Sequence, residues 1–111
     1  MSNKKVYWTN TARVDLETII SHIAVDSVAN ALVTLEKLEK KAESLNSQSD
    51  RGRVVPELQS VGIVHYRELI VKPWRIIYRV ESSRVLIMAV LDSRRELDDL
   101  LLQRLIIMPL S

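Results

Sequence analysis

The hydrophobic pattern of this chain changes period near residue 65, and the change restricts it to a fold with a helical part followed by a sheet part. Ahead of that point apolar residues recur three and four apart. Ala12, Leu16, Ile19, Ile20 and Ile23 fall on one side of a helix, and any of Thr9, Asn10 and Thr11 can supply the oxygen that caps its start. Asp26-Ser27 interrupts the pattern and caps a second helix, on which Val28, Leu32, Leu35, Leu38, Ala42 and Leu45 form a stripe. Glu36, Lys37, Glu39, Lys40, Lys41 and Glu43 lie outside that stripe, with Glu36 one turn ahead of Lys40 and suited to an ion pair. So short a break predicts an antiparallel helical hairpin. Neither stripe is stable alone, so both need a sheet to cover.

A short strand, Lys5 to Trp8, precedes the hairpin. Asn46 to Gly52 is polar and reads as a loop, and Arg53 to Gly62, with Pro56 and no period, reads as an extended connection. His65 to Lys72 is a strand ended by Pro73. In the next, Trp74 to Glu81, Trp74, Ile76, Tyr78 and Val80 share one face while Arg75, Ile77, Arg79 and Glu81 share the other. Ser82-Ser83 has hairpin length, and Arg84 to Leu91 is apolar on both faces, as a central strand is. Asp92-Ser93 can cap a last short helix with Leu97, Leu100, Leu101 and Leu105. The expectation is one α+β domain over residues 1–111, in the order β-α-α-β-β-β-α, with the hairpin on an antiparallel sheet. The late apolar residues, Ile106 and Ile107 included, exceed what one short helix buries, so part of that surface is expected to meet a partner or a second copy.

With no cysteine among 111 residues, disulfides, thiolate-held metals and a thiol nucleophile are all ruled out. The start is polar and no apolar run nears the ~20 residues of a membrane span, so a cytoplasmic protein without membrane contact is expected. The glycines, Gly52 and Gly62, form no phosphate-binding loop, His22 and His65 lie far apart, and no serine sits in a nucleophile elbow. A metal site or a cofactor is therefore not expected.

Charge is unevenly placed. Residues 1–50 carry six Lys and Arg against seven Asp and Glu, residues 51–111 ten against seven, and nine of those ten are arginine. Arg67, Arg75 and Arg79 fall on neighbouring strands, Arg51 and Arg53 on the loop before them, and Arg94 and Arg95 after the last strand. Guanidinium groups facing one way would bind phosphates, hold an acidic partner segment or polarise a scissile phosphate. The plainer alternative is that they keep an open sheet face soluble. Trp74 and Tyr78 are expected in packing rather than as base-stacking platforms.

Four stretches taken in order carry a resemblance: Gly52-Arg53-Val54-Val55-Pro56-Glu57-Leu58, Tyr66-Arg67-Glu68-Leu69, Trp74-Arg75-Ile76-Ile77-Tyr78-Arg79-Val80 and Val90-Leu91-Asp92-Ser93-Arg94-Arg95. Together, from Val6 to about Leu105, they resemble the RelE/ParE toxin superfamily of type II toxin–antitoxin (plasmid stabilisation) systems, whose fold has the same element order. The resemblance implies a toxin neutralised by a cognate antitoxin with an acidic toxin-binding tail. A RelE-like member cleaves messenger RNA on the ribosome; a ParE-like member poisons DNA gyrase. Glu57 and Arg75 fall where a ribonuclease branch has its catalytic glutamate and arginine, but the late tyrosine or His-Tyr pair of those enzymes is missing, since no tyrosine follows Tyr78 and no histidine follows His65. The polar-Arg-Arg end of the last strand, followed by Glu96 to Leu105, resembles the ParE-like branch. That branch acts by binding, with no catalytic residue. Arg67, Arg75, Arg79, Arg94 and Arg95 are then expected to contact the antitoxin or the target, within a homodimer or a toxin–antitoxin hetero-oligomer. The alternatives are a metal-independent ribonuclease built on Glu57 and Arg75, or a non-toxic antitoxin-binding member.

Overall fold

A computed structural model of the chain describes residues 3–93. Strand β1 (Lys5–Trp8) leads into helix α1 (Asn10–Asp26), and helix α2 (Val28–Glu43) follows after a single residue. Thr9 is the cap of α1: its Oγ1 accepts from the Ala12 N–H at 3.2 Å and donates to the Ile87 carbonyl at 2.9 Å. The hydroxyl thus satisfies an orphan helix donor and ties the start of α1 to the sheet. Ser27 serves both helices. Its N–H closes α1 on the Ile23 carbonyl at 3.0 Å, and its Oγ caps α2 by accepting from the Asn30 N–H at 3.1 Å.

A 3-10 turn at Ser44–Asn46 ends α2, and then come β2 (Arg53–Val54), the helical turn α3 (Pro56–Gln59), β3 (Tyr66–Val71), β4 (Trp74–Val80) and β5 (Arg84–Asp92). The five strands form one sheet in the order β1-β5-β4-β3-β2. Strands β2 to β5 pair antiparallel, while β1 joins the far side of β5 in parallel. Strand β5 is an interior strand, paired on both sides as its two apolar faces predict, although the middle place of the five belongs to β4. The stretch read as an extended connection is shorter in its extended part: Pro56 starts a turn of helix at a position where its missing N–H costs nothing. Gly62, at φ 86°, closes that turn, and the Ile63 N–H reaches back to the Leu58 carbonyl at 2.9 Å.

The sheet has an apolar cluster on each face. On the hairpin side Leu69, Ile76, Tyr78, Val85, Ile87 and Val90 pack with Ala12, Leu38, Ala42 and Leu45. On the second face Tyr66, Ile77, Leu86, Met88, Ala89 and Leu91 pack with Val55 and Leu58. Strict alternation would put Met88 and Ala89 on opposite faces, yet both join the second cluster. The register explains this: Ile77 faces Ala89 and Tyr78 faces Ile87, so Met88 is an extra, bulged residue that flips the parity of everything after it. Past Ile87, where β1 no longer pairs, Asp15 of α1 accepts from the Val90 N–H at 3.0 Å.

The α2 stripe differs from its sequence reading at one end. Ala31, Leu38, Ala42 and Leu45 are buried, whereas Val28 and Leu32 are exposed, together with Val25 at the end of α1. Only the sheet-proximal half of each helix packs on the sheet, so the tip of the hairpin has nothing beneath it among the described residues. The last helix read from Leu97, Leu100, Leu101 and Leu105 lies outside the described residues, as do Arg94 and Arg95. Among the described residues no helix is long and apolar enough to cross a membrane.

Candidate functional site

The second face of the sheet carries the charged residues that the strand pattern placed there. Register sets Glu68 of β3 opposite both Arg53 of β2 and Ile77 of β4, and Arg75 of β4 opposite Ile70. The turn α3 lays Glu57 over the same area. Arg75 donates through Nη1 to Glu57 Oε2 at 2.7 Å and through Nη2 to Glu57 Oε1 at 2.8 Å, a two-pronged pair. Its Nε donates to Glu68 Oε1 at 2.5 Å, and its Nη2 also contacts that oxygen. Arg53 donates through Nε to the other oxygen, Glu68 Oε2, at 2.5 Å. Two arginines and two glutamates therefore form one chain, Arg53–Glu68–Arg75–Glu57, whose charges cancel. The Glu68 side chain is 0% exposed and that of Arg75 is 7% exposed, while Arg53 reaches solvent at the end of the chain.

Burial and pairing pull against each other at Glu57. The hydrogen bonds from Arg75 dominate and hold its carboxyl below the ordinary value of 4.5, with desolvation opposing them. In turn Arg75 is held more firmly in its charged form, chiefly by Glu57. Because the folded-state pKa of Glu57 is depressed, its stabilising contribution is complete above the unfolded value and is lost as pH falls through the folded one. Urea midpoints of the wild type are expected to fall as pH drops below about 4.5, and Glu57→Gln to show a shallower fall over the same range.

The arginine set separates. Arg75 and Arg79 share the second face, with Arg79 donating through Nη2 to Glu81 Oε2 at 2.7 Å and Arg84 bonding the other oxygen of Glu81. Arg67 is opposite Tyr78 and Val54 in register, and so lies on the hairpin-side face. There its Nη1 donates to the Gly52 carbonyl at 2.7 Å. Arg51 donates to Ser44 Oγ at 3.0 Å. Three of the five expected binding arginines are thus placed, two together and one apart; Arg94 and Arg95 fall outside the described residues.

Chemically, this arrangement is better at holding a shape than at moving protons. A carboxylate bonded on both oxygens by arginine is a weak base, and an arginine with Nε, Nη1 and Nη2 all engaged has little left for a developing negative charge. Tyr78 is fully buried, its hydroxyl accepts from the Gly52 N–H at 2.9 Å, and burial pushes its pKa up. His22 and His65 are both exposed, His65 resting against the Tyr66 ring at 4.5 Å. The centre of the ion chain, Glu68, was not singled out from the sequence. Its signal was there: a lone carboxylate between Tyr66 and Leu69–Ile70, in a strand otherwise built for burial, needs a cationic partner.

Comparisons with known proteins agree on this architecture. The chain is similar in fold to a solved structure of the chromosomal ParDE toxin–antitoxin system of P. aeruginosa, with a TM-score of 0.67 and 21% identity over 80% of this chain and 95% of that one. It is also similar to the RelBE2 toxin–antitoxin complex of Mycobacterium tuberculosis, with a TM-score of 0.59 and 20% identity over 83% of this chain and 93% of that one. No curated protein sequence matches it. The family model described as "ParE toxin of type II toxin-antitoxin system, parDE" matches residues 6–97, from β1 through the last strand, and the chain belongs to that family.

Proposed function

We propose that the protein is a toxin that inhibits DNA gyrase by binding it, and that a cognate antitoxin neutralises it. The observation that carries this reading is the state of Glu57 and Arg75, the pair a ribonuclease would need. They are locked to each other and to Glu68 in a charge-balanced chain, a poor general base beside an occupied cation. The missing late tyrosine or histidine points the same way, since the leaving oxygen would lack a proton donor. A binding inhibitor needs neither. It needs a rigid sheet with a charged rim, and Arg79, followed in sequence by Arg94 and Arg95, supplies contacts for an acidic antitoxin tail or for the target. Cytoplasmic location follows from such a target.

Purified protein is expected to block gyrase supercoiling of relaxed plasmid in proportion to its concentration, with the antitoxin restoring the reaction. It is expected to leave ribosome-bound messenger uncut. Codon-specific cleavage with supercoiling intact would replace this reading by the ribonuclease one. No growth arrest on expression alone would favour a non-toxic antitoxin-binding member.

A further inference from the structure

Two groups stand out among the cations of the described residues, with Lys4, Lys5, Arg13 and Arg67 outside both. Those on the second face of the sheet, Arg53, Arg75, Arg79 and Arg84, each hold a carboxylate. Lys37, Lys41, Arg51 and Lys72 hold none among the described residues. With Lys40, Ser44 and Val71 they line one open groove of about 620 Å³ between the end of α2, the loop after it and the β3–β4 turn. Only Lys40 is offset, by Glu36 at 2.9 Å. Among the described residues, four cations without a carboxylate thus meet beneath α2, whereas Arg53, Arg75, Arg79 and Arg84 are offset.

Lysines at a helix C-terminus are favoured by the helix dipole, which accounts for Lys40 and Lys41. It does not account for Arg51 and Lys72, which reach the same groove from two other segments at a cost in mutual repulsion. Arg51 is also held in place: its Nη1 donates to Ser44 Oγ at 3.0 Å, and that hydroxyl donates to the Lys41 carbonyl at 2.6 Å. Lys37 and Lys41 lie one helical turn apart, about 6 Å along the axis, so the groove has a row of charges on one wall and two more facing it.

Such a groove fits an extended polyanion. An acidic peptide would gain affinity from apolar anchors or from a free strand edge. Val71 is the single apolar lining residue, too little to anchor a peptide, although β2 covers the outer edge of β3 only at Arg67 and Glu68. A phosphate backbone needs only the charges. The lining offers no aromatic ring and no side-chain amide to read a base. We infer that this groove binds the phosphate backbone of a nucleic acid, without sequence preference. The inference does not rest on the gyrase reading.

The test is fluorescence anisotropy of the full chain with labelled mixed-sequence duplex and single-stranded DNA, titrated over salt. The groove variant is Lys37→Gln/Lys41→Gln/Lys72→Gln. A control of equal charge change is Lys5→Gln/Arg13→Gln/Arg84→Gln, and thermal melts verify that both fold. The groove variant is expected to lower the slope of log affinity against log salt by nearly three on duplex, and to weaken low-salt binding by at least tenfold, to order of magnitude. The control is expected to keep the wild-type slope. Equal losses in both variants, or wild-type protein that does not bind DNA at low salt, would overturn the inference. So would a groove variant that loses binding to an oligoglutamate peptide but keeps its DNA affinity.

Discussion

Replacing Arg75 with alanine is expected to cost about 3–5 kcal/mol of folding stability, because it strands a fully buried carboxylate. Glu68 would keep only its bond from Arg53, whose side chain is 65% exposed, and Glu57 would lose its two-pronged partner. For a domain whose whole stability is of the order of 5–15 kcal/mol, such a loss is a large share. Urea unfolding followed by circular dichroism would read it as a fall in midpoint at constant slope. The penalty belongs to the unpaired charge rather than to lost packing, and this has a second consequence. Neutralising the partners in the same chain, as Arg75→Met/Glu57→Gln/Glu68→Gln, is expected to recover most of the loss. A single Arg75→Ala variant within about 1 kcal/mol of wild type would mean that the ion chain is not what holds α3 against the sheet.

The ion chain also separates what could be read in the sequence from what could not. The helical hairpin, its Ser27 hinge, the interior place of β5 and the two faces of β4 all follow from period and capping, which are local properties. Residues that depend on a partner distant in sequence were harder to read. Arg67, Arg75 and Arg79 look equivalent along the chain, but pairing register puts Arg67 on the other side of the sheet. Their charges look available, but Glu57 and Glu68 come from separate segments to engage Arg75, while Glu81, two residues on, engages Arg79. Val28 and Leu32 fit a helical stripe, and only the reach of the sheet decides that the stripe outruns its cover there. In the opposite sense, the lysines of α2 look like an ordinary solvent face until Arg51 and Lys72 are brought opposite them. Composition therefore shows where arginine is in surplus, while among the described residues the fold offsets four of those charges and gathers four unpaired cations beneath α2.

The other large effect is expected at Gly52, where an added methyl group has no room. A Cβ there would lie 2.4 Å from the Glu68 carbonyl oxygen and 2.5 Å from the Tyr78 hydroxyl. Neither neighbour is a loose side-chain end, since one is strand backbone and the other belongs to a fully buried ring. Gly52 is also bonded at both polar atoms, its N–H to the Tyr78 hydroxyl at 2.9 Å and its carbonyl to Arg67 Nη1 at 2.7 Å. Its φ is not positive, so the requirement is one of space, not of backbone freedom. Gly52→Ala is expected to cost about 3 kcal/mol or more, combining overpacking with strain on a buried hydrogen bond. Tyr78→Phe should relieve only part of this, because the Glu68 carbonyl and a ring carbon at 2.9 Å remain in the way. The double variant should then fall short of wild type yet cost less than the sum of the two singles, a coupling that a thermodynamic cycle from urea unfolding reads directly. A Gly52→Ala protein as stable as wild type would show that this loop can move off β3. In that case the same movement would carry Arg53 away from Glu68 and open the ion chain at its solvent end.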